Sequence, residues 1–463
     1  MLSAGQAGGG PARVYSLALP TGPSASDVGA SAYPSDVGGS AGSSGGRLTL
    51  LFFTDSFPYD IGKEQTFLEP QMPHLQASFD RVVIIPSRIG GSRVSLPGST
   101  EVDEGLARVL GSTRPLDLVV RALTSRLFWA DVRDRPGILR SRQAMRRLIG
   151  TSARAEMTRA WLAQRLRRAD PSPDATVACS VWFDHATAGL GLVRRKQRDL
   201  VVVTRINGAD LFEERHSPPY LPCRRSTLAQ LDRVYAVSGF GMRYLLERHP
   251  WFAPRCELAR LGVRDPGFIT PPPAGGRFVV VSCSGLVPVK RVDRILEGIG
   301  QLARKRPGAT VEWHHFGDGE ESARIQLRAL AELPGNARAT FHGHLTIQEI
   351  LDFYRSVPVA AFINTSESEG GSPVAIMEAA SCGIPVIATA VGGNPEIVTE
   401  HNGVLLSADP SWDEIADAFI GLIDDPDGAA AKRIESRRMW EQRFVAEVNY
   451  EDFARRLRLL RAA

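Results

Sequence analysis

Residues 362–398 read FINTSESEGGSPVAIMEAASCGIPVIATAVGGNPEIV. The apolar run at its start predicts a buried strand, and the Ser/Glu/Gly stretch after it predicts a loop. A helical segment follows with Glu378 in its interior, then a second apolar strand around residues 384–388 and a Gly-Gly turn. This is the pattern of a βαβ unit whose first loop leads into a helix N-terminus. Backbone amides and the helix dipole favour an anion there. The amides of Gly370, Gly371 and Ser372 are placed to meet a phosphate, and Pro373 suits the first turn of the helix. Glu378 lies further along, where a carboxylate can accept hydrogen bonds from sugar hydroxyls. A sugar-linked diphosphate is the ligand that needs both.

Working outward, a first series of short apolar strands occupies residues 48–54, 82–87, 176–182, 200–206 and 233–238, with helical segments between them. A second series begins at residue 277 with RFVVVSCSG and continues through VEWHHFGDGE, ATFHG, VAAFINTS and IPVIATA. Strands alternating with helices predict doubly wound parallel sheets. A Pro- and Gly-rich linker, residues 271–276, separates the two series. The fold class is therefore α/β, with two Rossmann-like domains facing a cleft at the carboxyl ends of their strands. The boundaries read as a tail at 1–46, domains at 47–270 and 277–438, and a C-terminal helix at 439–463 returning toward the first domain. That helix uses Trp440, Phe444, Tyr450 and Phe453 as anchors.

With 463 residues, 43% hydrophobic and 23% charged, the chain has the composition of a globular protein of two or three domains. No uncharged apolar run approaches the roughly 18 residues that a spanning helix needs. The Gly/Ser/Ala/Pro-rich tail predicts disorder. Five scattered cysteines lack CxxC spacing, which argues against a disulfide framework and for a reducing cytoplasm. The net charge of +4 conceals an uneven distribution: residues 108–170 hold 15 Arg against five acids. Apolar residues recur there at helical spacing, as Leu116, Val119, Val120, Leu123 and Leu127 and again as Met157, Trp161, Leu162 and Leu166. A basic amphipathic region predicts an anionic membrane surface as partner through Arg108–Arg168, the competing reading being a solvated basic face. Localisation then reads as cytoplasmic, peripheral at the inner membrane face. Nucleic acid is not among the predicted partners.

Four pieces stand in a fixed order: SCSGLVPVKRVDRILEGI, HFGDGE, FHGHLT, and the block from SESEGG to GGNPEIV. Together they resemble glycosyltransferase family 4, the retaining nucleotide-sugar transferases of the GT-B fold, over roughly residues 48–460. FPYDIGKEQTFLEPQMPHL, TRINGADLFEERH and the VSGFGMRYLLERHP segment point to a bacterial subgroup that builds polysaccharides. The resemblance implies transfer of a hexose from a nucleotide diphosphate sugar, with UDP-linked donors ranked ahead of GDP-linked ones. The acceptor is a hydroxyl of a glycan, lipid-linked or small-molecule acceptor. It implies no catalytic metal and no cofactor beyond the donor.

Carried over residue by residue, Lys290 neutralises the departing diphosphate. The family places a second cation at the position of Gly285, and Arg291 is the substitute here. Glu378 takes the ribose hydroxyls and Glu369 the donor hexose, in a loop one residue longer than usual. The backbone at His344 and Leu345 borders the base. Gly62, after the first strand, approaches the donor phosphates or the acceptor. In the first domain, His185 is the candidate to take the acceptor proton, with Asp184 beside it; a helix-capping Asp184 is the competing reading. Arg205, Asn207 and Asp210 are assigned to the acceptor. The histidine pairs 314–315 and 342/344 read as structural rather than metal-binding. A nucleotide-sugar 2-epimerase and a non-catalytic binding protein on the same fold remain rival functions.

Overall fold

In the first sheet, apolar residues on consecutive positions bury both faces. Leu51 and Phe53 of strand β1 (Thr49–Thr54) enter one core, while Leu50 and Phe52 enter the opposite one. Continuous rather than alternating hydrophobicity marks a parallel sheet covered by helices on both sides. The remaining strands are β2 (Arg81–Pro86), β3 (Glu101–Val102), β4 (Thr176–Ser180), β5 (Val201–Ile206), β6 (Arg233–Ala236) and β7 (Cys256–Leu258). Their order is β3-β2-β1-β4-β5-β6-β7, all parallel.

The second sheet repeats this logic with β8 (Arg277–Cys283), β9 (Thr310–Phe316), β10 (Ala337–Phe341), β11 (Val359–Asn364), β12 (Val386–Thr389) and β13 (Gly403–Leu406). Its order is β10-β9-β8-β11-β12-β13, again parallel. Val279 and Val281 of β8 face one core, Phe278 and Val280 the other. The computed structural model describes residues 47–462 except Lys63, Ser99, 169–171, 274–275 and Ser372. The expectation for the 1–46 tail, part of the linker, and the Ser372 assignment lie outside the described residues. Strands β3, β7 and β13 were not anticipated: all three are short strands at sheet edges.

The C-terminal segment departs from the single helix expected. Helix Pro426–Arg443 ends, and helix Ala446–Ala462 begins after a two-residue break. The break is bridged to the first lobe, where Val263 N donates to Phe444 O (2.9 Å) and Ala446 N to Val263 O (3.1 Å). Trp440 stays in the core of the second sheet, whereas Phe453, Ala454 and Leu457 fill the core beneath the first. The chain thus crosses between sheets twice.

Candidate active site

The loop after β11 is tied together by its own polar residues and by Lys290. Glu369 is buried and accepts from Asn364 Nδ2 (3.1 Å), from Ser366 Oγ (2.6 Å) and from Lys290 Nζ. Lys290 closes the 3-10 turn Pro288–Lys290 that follows β8. Burial alone would push the Glu369 carboxyl up; the ammonium and the two hydrogen bonds outweigh it and hold the group below its ordinary value. The next helix runs Val374–Ser381, so Pro373 sits at its N-cap rather than in its first turn.

Glu378 lies four residues into that helix and is buried. Among the described residues nothing donates a hydrogen bond to its carboxyl, and burial raises its pKa to about 7. A buried carboxyl without partners is costly, and hydroxyl donors from a ligand would satisfy it.

Arg291 does something other than expected. Its left-handed backbone (φ 47°) turns the side chain onto Thr365 O (2.9 Å), Ser366 O (3.1 Å), Ala408 O (2.7 Å) and Asp409 Oδ1 (3.0 Å). All three guanidinium nitrogens are committed, so Arg291 staples the loop after β11 to the loop after β13 instead of standing as a second free cation. Gly285 occupies the turn between β8 and Lys290, its carbonyl accepting from Val287 N (3.0 Å). His344 is exposed and Leu345 half-buried at the end of β10. His314 and His342 stack with a 2.9 Å contact between ring nitrogens, and burial pushes His314 down to about 4. His315, also about 4 through burial, is engaged by Ser282 Oγ (2.8 Å) and Ser284 O (3.2 Å). No group of His, Cys, Asp or Glu suited to a metal occurs among the described residues.

Glycines let the lobes approach. A Cβ on Gly208, just past β5, would collide with the Gly370 backbone, and one on Gly371 would strike Val237. Behind the loop, side chains at Gly392 or Gly393 would overlap the carbonyls of Glu369 and Gly371. Glu396, from the same GGNPE turn, reaches across to the first lobe. Its carboxylate accepts from Gly239 N (3.0 Å) and Phe240 N (2.6 Å) at the start of helix Gly239–Arg248, with Arg260 3.6 Å away. The sequence reading missed this contact, because Glu396 caps a helix more than 150 positions away in the chain.

On the first lobe, the loops after β1, β4 and β5 meet. Glu64, also unanticipated, gathers the amides of Asp55 (3.0 Å), Ser56 (2.7 Å) and Phe57 (2.8 Å) and the indole N–H of Trp182. Gly62 packs so close to Ser56 that a Cβ would clash with the hydroxyl. Asp210 accepts from Phe183 N (2.8 Å) and Asn207 N (2.8 Å), and Asn207 Nδ2 donates to Val181 O (3.0 Å). Asn207 and Asp210 therefore join loops, with no carboxylate oxygen of Asp210 left free of an amide.

Arg205 corrects the acceptor assignment outright. It is fully buried, its guanidinium 3.8 Å from the Phe453 ring centroid and bonded to Gln71 Oε1 (2.8 Å). Strand alternation explains this: Val201, Val203 and Arg205 share the face covered by the C-terminal helix, opposite Val202 and Ile206. Asp184 caps helix His185–Arg194 through Ala186 N (2.8 Å). His185 Nδ1 lies 3.5 Å from Asp184 Oδ2, and its buried Nε2 has no partner among the described residues. His185, Asp184 and Asp210 line a cavity of about 640 Å³ together with arginines that sequence reasoning passed over.

Residues 277–425 match the family of group 1 glycosyl transferases. The GDP-mannose-dependent alpha-(1-6)-phosphatidylinositol monomannoside mannosyltransferase of Mycobacterium tuberculosis is 30% identical over 270 residues, covering 54% of this chain and 68% of that protein. A Corynebacterium glutamicum GDP-mannose-dependent monoacylated alpha-(1-6)-phosphatidylinositol monomannoside mannosyltransferase is 30% identical over 173 residues, 35% of this chain; that match spans 44% of the relative's length. The crystal structure of TarM superposes with a TM-score of 0.62 at 10% identity, over 88% of this chain and 98% of that one. Two facing parallel α/β sheets, the donor-loop sequence and these likenesses converge: the chain belongs to the group 1 glycosyl transferases and has the GT-B fold.

Proposed function

We propose that the chain transfers a hexose from a nucleotide diphosphate sugar to an acceptor hydroxyl, with retention at the anomeric carbon. The second lobe holds the donor and the first the acceptor. Glu378 accepts from the ribose hydroxyls, and the Gly370 and Gly371 amides meet the diphosphate. Lys290 exchanges its Glu369 partner for the phosphate oxygens, leaving Glu369 to face the hexose. As the bond from the anomeric carbon to the diphosphate oxygen breaks, its electron pair stays on the leaving group, where Lys290 stabilises it. The acceptor oxygen attacks from the same face, and its proton passes to the departing phosphate or to His185.

The observation carrying this reading is Glu378: a buried, unpartnered carboxyl in the helix that follows an anion-ready loop. The relatives support a GDP-linked mannosyl donor ahead of the UDP-linked donors ranked first from sequence, and a lipid-linked acceptor. The exposed apolar stripe of helix Pro115–Thr124 supports a membrane-facing first lobe: Leu116 is 73% and Val120 55% exposed, with Trp129 at 55% nearby, amid the arginines of 108–168. No helix among the described residues is long and apolar enough to cross a membrane.

Donor turnover by Lys290→Ala and Glu378→Ala tests the assignment, and wild-type rates in both would overturn it. An assay with donor alone separates transfer from epimerisation: an epimerase alters the sugar without any acceptor.

A further inference from the structure

The cavity beside His185 carries more cationic character than the transfer reaction alone explains. Arg146, Arg147 and Arg154 reach it from helix Arg142–Arg167, and Arg224 from the opposite wall. Arg147 is occupied by the carbonyls of Pro218 (2.8 Å) and Tyr220 (3.2 Å). Arg146 and Arg154 have exposed guanidinium groups with no ion pair or hydrogen bond among the described residues. Arg224 is 92% buried, stacks 4.0 Å from the Phe183 ring centroid and donates from Nη2 to Asp210 O. Its Nε and Nη1 are buried without partners among the described residues.

The acids in the same wall are already engaged. Asp55 pairs with Arg88, Asp184 caps its helix, and Asp210 receives two amides. Asp210, Glu213 and Asp184 supply nearby negative charge to Arg224, but its Nε and Nη1 have no acceptor among the described residues, and buried donors left unpaired are costly until a ligand oxygen accepts from them. Guanidinium forks match phosphate oxygens bidentately. The cavity's 640 Å³ suits a polyol phosphate. Ala209 and Asp210 in its wall directly follow Gly208, which abuts Gly370 of the donor loop.

We propose that this cavity is an acceptor-side phosphate site, in which Arg146, Arg154 and Arg224 grip a phosphate ester carried by the acceptor. The proposal rests on the transferase reading for its acceptor role, while anion binding itself stands apart from it. The phosphate could belong to a soluble ester or to a phospholipid headgroup, and the test has an arm for each. Wild type and Arg146→Ala/Arg154→Ala are titrated with inositol 1-phosphate, with uncharged myo-inositol, and with phosphatidylcholine vesicles with and without phosphatidylinositol. Both substituted residues are exposed, so an unchanged melting temperature verifies folding, and GDP-mannose titration monitors the donor lobe separately.

The expected result is that wild type binds inositol 1-phosphate, or phosphatidylinositol vesicles over plain ones, about tenfold more tightly than the uncharged counterpart. The double variant loses that preference while nucleotide binding is unchanged. A preference in the soluble arm or only in the vesicle arm supports the site and identifies its source. No preference in either arm, or an equal preference in the variant, overturns it. Loss of nucleotide binding in wild type, with phosphate-ester binding intact, would sink the transferase reading and leave the anion site standing.

Discussion

The two lobes share a fold and treat their charged residues in opposite ways. In the second lobe, charged groups converge from two turns: Lys290, after β8, holds Glu369, 79 positions further on after β11, and Glu378 has no hydrogen-bond partner among the described residues. In the first lobe, the polar residues that looked most chemical are spent on architecture. Asn207 and Asp210 tie loops together, and Arg205 disappears into the core. The free cations there come from a long helix and from Arg224. A nucleotide is a constant ligand that one βαβ unit can specify. An acceptor is met by several loops and an inserted helix, where local pattern says little about which side chain reaches the cavity.

Replacing Lys290 by Ala should break the donor half most severely, lowering kcat by about 10²–10³-fold, because a leaving-group charge would go unneutralised. Steady-state rates with saturating donor measure this, and a fall of less than threefold would remove Lys290 from the chemistry. The contact between lobes is next. Gly208→Val should collide with the Gly370 backbone and cut kcat/KM by roughly tenfold to a hundredfold while the melting temperature changes little, since misplacing reacting parts by about 1 Å is that damaging. Full activity would mean the lobes need not meet there.

Glu378 sharpens the contrast through pH. Its folded pKa, about 7, lies above the ordinary carboxyl value of 4.5. Its stabilising contribution is thus fully present below pH 4.5 and is lost as pH rises through 7. Glu378→Gln removes this titration, so the variant's stability relative to wild type should improve by about 3 kcal/mol between pH 4.5 and 8 in denaturant melts. A flat difference across that range would mean the carboxyl is satisfied. Removing the inter-lobe cap with Glu396→Ala should have the smallest effect, about 1 kcal/mol, read as a modest rise in KM for donor with folding intact.

Most of the second-lobe site was legible because Glu369, the glycines after it and Glu378 lie in one contiguous stretch, with Lys290 in a separate turn after β8. The strand, the Gly-rich loop and the helix bearing Glu378 all follow from the sequence pattern. Arg291 was misjudged because its positive φ redirects a side chain that spacing alone would aim at the ligand. Arg205 was misjudged because a charged residue in an apolar strand looks functional until strand parity assigns it to the face covered by the C-terminal helix. The break after Arg443 was hidden because Phe444 and Val445 continue the apolar pattern, and only the bridge to Val263 reveals it. Glu396 reaches amides more than 150 positions away, and Glu64 adds the indole of Trp182, 118 positions on, to the nearby amides of residues 55–57; no local signal marks the long contacts.

The most direct test is the melting temperature of wild type and Glu378→Ala, each with and without GDP-mannose or UDP-glucose near millimolar concentration. A ligand that binds only the folded state raises that temperature. The account predicts a rise in wild type with one of these nucleotide sugars and little or none in the variant. No rise in wild type with either, or the same rise in both proteins, would contradict it.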